Sequence, residues 1–150
     1  MDTEAVIQIF NTSGFQIPIS EDEAAFLLKA ISNHEACTYE MVEVVYVDEA
    51  EIVRVNRKYL SRDYVTDIIS FRYDEDITNG AIEGSLYCCA QRIAEQASEF
   101  EVPVKDEFLR VLIHGLIHLI GYDDKTSEEK TEMTRLEDLF LEQYAKRYFS

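Results

Sequence analysis

Residues Phe108–Asp124, FLRVLIHGLIHLIGYDD, decide how the rest of the chain has to be arranged. Leu109, Val111, Leu112, Ile113, Leu116, Ile117, Leu119 and Ile120 leave almost no polar face, the pattern of a helix buried at the centre of a small domain. Two imidazoles interrupt it. At about 3.6 residues per turn, His114 and His118 project from one face, one turn apart, and their ring nitrogens can converge on a point. Gly121 is suited to the left-handed conformation that ends a helix and turns the chain back. Asp124 lies just beyond that turn, where its carboxylate can swing towards the rings. His114, His118 and Asp124 therefore read as three metal ligands, with a fourth position left for water.

A single histidine on an apolar helix is more often a core residue satisfied by a carbonyl. Two at this spacing, followed by a glycine turn and an acid, need a different account. Leaving buried imidazoles without partners costs about 1–3 kcal/mol each, and metal coordination removes that penalty. The pattern resembles the zinc-peptidase signature H-E-x-x-H-x-x-G-x-x-H, but Gly115 stands where that signature has its general-base Glu. Glycine cannot accept a proton. The pattern implies metal-activated water and argues against peptide cleavage.

With 150 residues, 47% of them hydrophobic, the chain has enough material for one domain with a real core. No window approaches the roughly 18 consecutive apolar residues of a membrane span. The start, MDTEAVIQIF, lacks the basic opening of a signal peptide, so the expected compartment is the cytoplasm, with no membrane partner. Cysteine is present three times, and adjacent Cys88 and Cys89 would point to opposite faces of a strand. They read as small core residues, not as a disulfide framework or a zinc knuckle. The net charge of −16 opposes non-specific binding of polyphosphate unless the cations are gathered. Arg54, Arg57, Lys58 and Arg62 gather four of the 14 basic residues on one short segment, and Arg72 follows on the next element. Such a run is commonly just a solvated helix face. The acidity elsewhere suits a protein partner with a basic surface.

Ala5–Phe10 reads as a strand, with Ile17–Ile19 closing it or leading into a helix. Ser20 with Glu23 forms a capping box for a helix to about Asn33, whose apolar face is Ala24, Phe26, Leu27, Ala30 and Ile31. His34 suits the negative end of that helix and is not a candidate ligand. Met41–Val47 is a strand. Asp48 with Glu51 is a second capping box, for a helix through Ile52, Val53 and Val55 to about Tyr59. Asp67–Phe71 and Ala81–Cys89 read as strands with a turn at Asn79-Gly80 between them. Gln91–Phe100 is a helix stopped by Pro103, and the histidine-bearing helix starts near Lys105. Thr126 with Glu129 caps a long final helix with Met133, Leu136, Leu139, Phe140 and Tyr144 on its apolar face. The expected architecture is α+β: a single domain over residues 1–150, about four strands in a mixed sheet, about five helices, and the histidine-bearing helix at the centre.

HGLIHLIGYDD resembles the H-G-x-L-H-L-x-G-Y-D-H signature of the YbeY family of metal-dependent endoribonucleases. VTDIISF, from Val65 to Phe71, is similar to the family's P-T-D-V-L-S-F, and VNRKYLSRD to its L-N-x-x-Y-R-x-x-D. IEGSLYCC stands where the family has a G-D-I-x-I-S strand. The resemblance spans about Val55 to Asp124 and implies a mixed sheet under helices. It also implies a single-strand-specific endoribonuclease, acting in late 16S rRNA 3′-end processing and in ribosome maturation and quality control.

The chain departs from that pattern at three places. The family's third metal-binding His falls on Asp124, and its G-D pair on Gly84 and Ser85. The basic residue proposed to hold RNA phosphate falls on Leu60. Carried over, the metal ligands are His114, His118 and Asp124, with zinc the first choice and the carboxylate making Mn²⁺ or Fe²⁺ more competitive. Arg57 or Arg62 is positioned to replace the missing cation, with Lys58 beside them. Asp123, Asp67 and Ser70 are candidates for orienting an imidazole or a water. RNA is the implied substrate, with ribosomal or assembly proteins as partners. The rival readings are a non-catalytic ribosome-assembly factor with a structural metal, favoured by Leu60 and the acidic charge, and a different hydrolase such as an amidase.

Overall fold

The β-branched and aromatic runs form a four-stranded sheet in a computed structural model that describes residues 6–73 and 81–149. In chain order the elements are β1 (Val6–Asn11), α1 (Glu21–Glu35), β2 (Thr38–Val47), α2 (Glu49–Leu60), β3 (Ile68–Arg72), β4 (Ala81–Cys89), α3 (Ala90–Glu99), α4 (Val104–Ile120) and α5 (Ser127–Phe149). The strand order is β1-β2-β4-β3. β1 and β4 run parallel to β2, and β3 runs antiparallel to β4, so the sheet is mixed as expected. The turn expected at Asn79-Gly80 lies outside the described residues, as does Ala5.

Local chemistry sets most helix starts. Ser20 and Glu23 exchange both capping bonds, the Glu23 amide donating to the Ser20 hydroxyl at 3.1 Å and the Ser20 amide to the Glu23 carboxylate at 2.9 Å. Thr126 and Glu129 do the same for α5. The box expected at Asp48 is half formed. Asp48 accepts from the Glu51 amide at 2.9 Å, but the Glu51 carboxylate turns away to bind Arg54 through two bonds of 2.7 Å. An i,i+3 guanidinium fork offers that carboxylate a charged partner, which a backbone amide cannot match.

The period-two alternation of the strands divides the core between the two faces of the sheet. Val42, Val44 and Tyr46 of β2, with Leu86 and Cys88 of β4, join the large cluster packed by α1, α4 and α5. Val47, Ile69 and Cys89 point the other way, where Ile52 and Val55 of α2 cover them. Both Cys88 and Cys89 are buried free thiols, one on each side, as their adjacency implies. Ile19 is buried immediately before the α1 cap and leads into that helix instead of closing β1. Leu28 joins Ala24, Leu27 and Ile31 on the buried face of α1, while Phe26 packs at its margin against Tyr148.

α4 sits at the centre, with Phe108, Leu109, Val111, Leu112, Ile113, Leu116, Ile117 and Leu119 buried. Gly115 explains how closely it lies on the sheet. A Cβ there would stand 2.5 Å from Ile68 Cδ1 of β3 and 2.9 Å from Leu86 Cδ1 of β4. The residue that cannot act as a general base is the one that lets the histidine-bearing helix lie flat on two strands.

Candidate metal centre

Beyond its first turn, α4 carries its polar side chains on one stripe: Arg110, His114 and His118 recur at every fourth position. The two imidazole centroids are 4.7 Å apart, with ring planes inclined at 77°. Their side chains are 24% and 25% exposed, so each ring is seated in the core while one edge reaches solvent.

The helix ends as its glycine demands. Gly121 takes φ 128°, its amide donates to the His118 carbonyl at 3.0 Å, and the Tyr122 amide donates to the Ile117 carbonyl at 3.3 Å, the paired bonds of a Schellman motif. Arg72 of β3 clasps the same end, its Nη1 donating to the Leu119 carbonyl at 3.0 Å. The returning loop is tied at two points. The Tyr122 hydroxyl donates to Glu35 at 2.5 Å, and Asp123 Oδ1 accepts from the Asp124 amide at 2.9 Å.

Asp124 is thereby swung onto the rings. Its Oδ2 lies 3.4 Å from His114 Nε2 and 3.8 Å from His118 Nε2. One ligand atom from each residue falls within 4.8 Å of the others. Metal–ligand bonds of about 2.0–2.2 Å in a tetrahedral site place donor atoms about 3.3–3.6 Å apart. The three donors present could therefore hold a single small divalent ion.

The far nitrogen of His114 is also engaged. Its Nδ1 lies 2.7 Å from Glu137 Oε2 of α5, which leaves Nε2 as the nitrogen facing Asp124. Burial alone would push the His114 pKa down, but the bond to Glu137, that residue's charge and the charge of Asp124 together raise it above the usual histidine value. Glu137 was not singled out in the sequence, although a carboxylate four residues after Met133, on the face that buries Leu136 and Phe140, is the signal that marks it.

Of the residues expected to orient an imidazole, Asp123 instead holds the Asp124 backbone. Asp67 accepts from Gln96 Nε2 at 3.2 Å, and its charge reaches His114 without a direct bond. Ser70 sits in β3 opposite Leu86. Arg57 pairs with Asp63 on the surface, and Arg62 is exposed beyond the end of α2, its backbone amide donating to the Asn56 carbonyl. Neither Arg57 nor Arg62 bonds to His114, His118 or Asp124. Leu60 is 40% exposed at the end of α2, where a cationic side chain would be equally accommodated.

Among the described residues, no helix is long and apolar enough to cross a membrane. A family model described as Endoribonuclease YbeY matches residues 10–145. A Chlorobaculum parvum protein named Endoribonuclease YbeY is 39% identical over 136 residues, covering 91% of this chain and 93% of its own length. A Cytophaga hutchinsonii protein of the same name is 38% identical over 114 residues, 76% of this chain and 78% of its own. The solution structure of TM1509 from Thermotoga maritima superposes with a TM-score of 0.60 at 25% identity, covering 95% of this chain and 91% of that one. With a family match over nearly all of its length and relatives well above 30% identity, this chain belongs to the YbeY family.

Proposed function

We propose that the protein is a metal-dependent endoribonuclease that hydrolyses phosphodiester bonds in single-stranded RNA, the chain from 1 to 150 forming the one domain that serves the site. The observation that carries this reading is the convergence of His114, His118 and Asp124 at the spacing of one ion, in a chain whose relatives are named endoribonucleases. A divalent ion held by His114, His118 and Asp124 would supply Lewis-acid polarisation of a phosphoryl oxygen and activation of the attacking water. His114 and His118 offer neutral nitrogen donors, and Asp124 offers an anionic one. Arg57 or Arg62 is assigned to offset phosphate charge, a role that Leu60 leaves open. The His₂-carboxylate donor set supports zinc first, with Mn²⁺ or Fe²⁺ as competitors. Family membership supports an rRNA substrate at the 3′ end of 16S rRNA, a cytoplasmic setting, and contact with ribosomal or assembly proteins.

The test replaces His118 by Ala and measures bound metal per chain together with cleavage of single-stranded and duplex RNA. Both metal and single-strand cleavage are expected to fall together. Full metal occupancy in the variant would remove the ligand assignment. The rival reading, an assembly factor with a structural metal, is favoured by Leu60 and the charge of −16. Cleavage by purified protein that a chelator abolishes and one ion restores decides against it.

A further inference from the structure

Glu137 is only 7% exposed and lies on the core face of α5, between Met133 and Phe140. A carboxylate in that position is unfavourable unless both oxygens find partners, and an apolar side chain of similar volume would serve packing at least as well. Both oxygens are used. Oε2 lies 2.7 Å from His114 Nδ1, within hydrogen-bond distance, and Oε1 accepts from Arg110 Nη1 at 2.9 Å. Arg110 is held in turn by Asp138, to which its Nη2 donates at 2.7 Å. The partners of this buried acid are therefore a metal-facing imidazole and the guanidinium one turn before it on α4.

We propose that Glu137 is a positioning residue for the metal centre. It keeps the His114 proton on Nδ1, so that the Nε2 lone pair points at the space shared with His118 and Asp124, while Arg110 anchors the carboxylate from its other oxygen. This rests on the metal-centre reading and deepens it. An imidazole with its proton on Nε2 would place a hydrogen where the ion must bind, and a bond from the far nitrogen to a carboxylate removes that tautomer and fixes the ring plane. His118 has no such carboxylate on its far side among the described residues, so the pre-orientation belongs to His114.

Glu137→Gln keeps the volume but offers one acceptor oxygen to two donors, Arg110 and the His114 Nδ1–H. Two measurements test the proposal: zinc affinity by competition with a chromophoric chelator, and ¹⁵N NMR of the histidine rings in metal-free protein at a pH where they are neutral. In the wild type, His114 is expected to carry its proton on Nδ1. In the variant, with fold retained by circular dichroism, that signal shifts towards the Nε2–H form and zinc affinity falls about 10–100-fold. His114 protonated on Nε2 in the wild type overturns the proposal, and that measurement needs no variant to fold. Wild-type zinc binding with an unchanged Gln variant overturns the role of Glu137 alone, whereas a wild type that takes up no divalent ion overturns the metal reading and this inference with it.

Discussion

The Tyr122 hydroxyl donates to the Glu35 carboxylate at 2.5 Å, joining residues 87 positions apart and fastening the loop that carries Asp124 to the end of α1. The bond pushes the Tyr122 pKa up to about 12, with burial adding to the effect. Tyr122→Phe removes one hydrogen bond to a charged acceptor at a partly exposed site, a loss of about 0.5–1.5 kcal/mol. The larger effect is expected in metal binding, because Asp124 loses one of the two ties that hold it. Isothermal titration of zinc into both proteins checks this, and equal affinities would mean the Asp123 bond suffices.

Asp124 is the one carboxylate in the cluster that could hold the ion, so on the proposed reading its replacement should change both affinity and preference. Zinc sites bind with roughly 10–16 kcal/mol shared over about four ligands, so Asp124→Ala should weaken zinc about 100-fold or more. Asp124→His should restore binding and favour zinc over Mn²⁺ more strongly than the wild type does, because an imidazole is a softer donor than a carboxylate. Paired competition titrations of the two ions give the ratio. A wild type that already prefers zinc as strongly as Asp124→His would show that the carboxylate does not tune the site.

The two glycines where α4 meets the sheet should respond differently to alanine. At Gly84 of β4 a Cβ would lie 2.6 Å from the Phe71 carbonyl oxygen and 2.8 Å from Leu119 Cδ2. That carbonyl belongs to the neighbouring strand and cannot retreat without disturbing the ladder, so Gly84→Ala should destabilise by about 1–3 kcal/mol. At Gly115 the obstacles are side-chain ends of Ile68 and Leu86, which can rotate. There the gain of about 1 kcal/mol from replacing a helical glycine opposes the crowding, and the net change should be the smaller of the two. Urea unfolding of both variants ranks them, and the opposite order would contradict the packing described for α4.

Glu23 makes stability sensitive to acid. Burial raises its pKa, but Lys105 at 2.7 Å, the Tyr144 hydroxyl and the Ser20 amide outweigh burial and hold it at about 2, below the ordinary carboxylate value of 4.5. Because the folded value is depressed, the stabilisation is fully present above about pH 4.5 and is lost as the pH falls towards 2. Glu23→Gln should lower stability at neutral pH and flatten its decline across that window. Thermal melts at intervals from pH 5 to about 2 follow it, and parallel curves for the two proteins would count against the network.

Much of this protein is written in short-range pattern. The β-branched and aromatic run 41–47, the capping pairs Ser20/Glu23 and Thr126/Glu129, and the apolar stretch 108–120 each specify an element through interactions a few residues long. The convergence of His114, His118 and Asp124 was equally legible, because the two histidines and the Gly121 turn leading to Asp124 all lie at a single helix end. The Asp48/Glu51 pair shows the limit of such reading, since Arg54 competes for Glu51 at the same short range.

What only the tertiary structure decided is which distant groups serve the site. Glu137 reads locally as one acid among many on an amphipathic helix, and Glu35 as the last residue of another. They become partners of His114 and Tyr122 because α1 and α5 pack against α4. A buried donor must find an acceptor wherever the fold brings one within about 3 Å, and that distance is set by the packing of three helices on a sheet, not by neighbours in the chain.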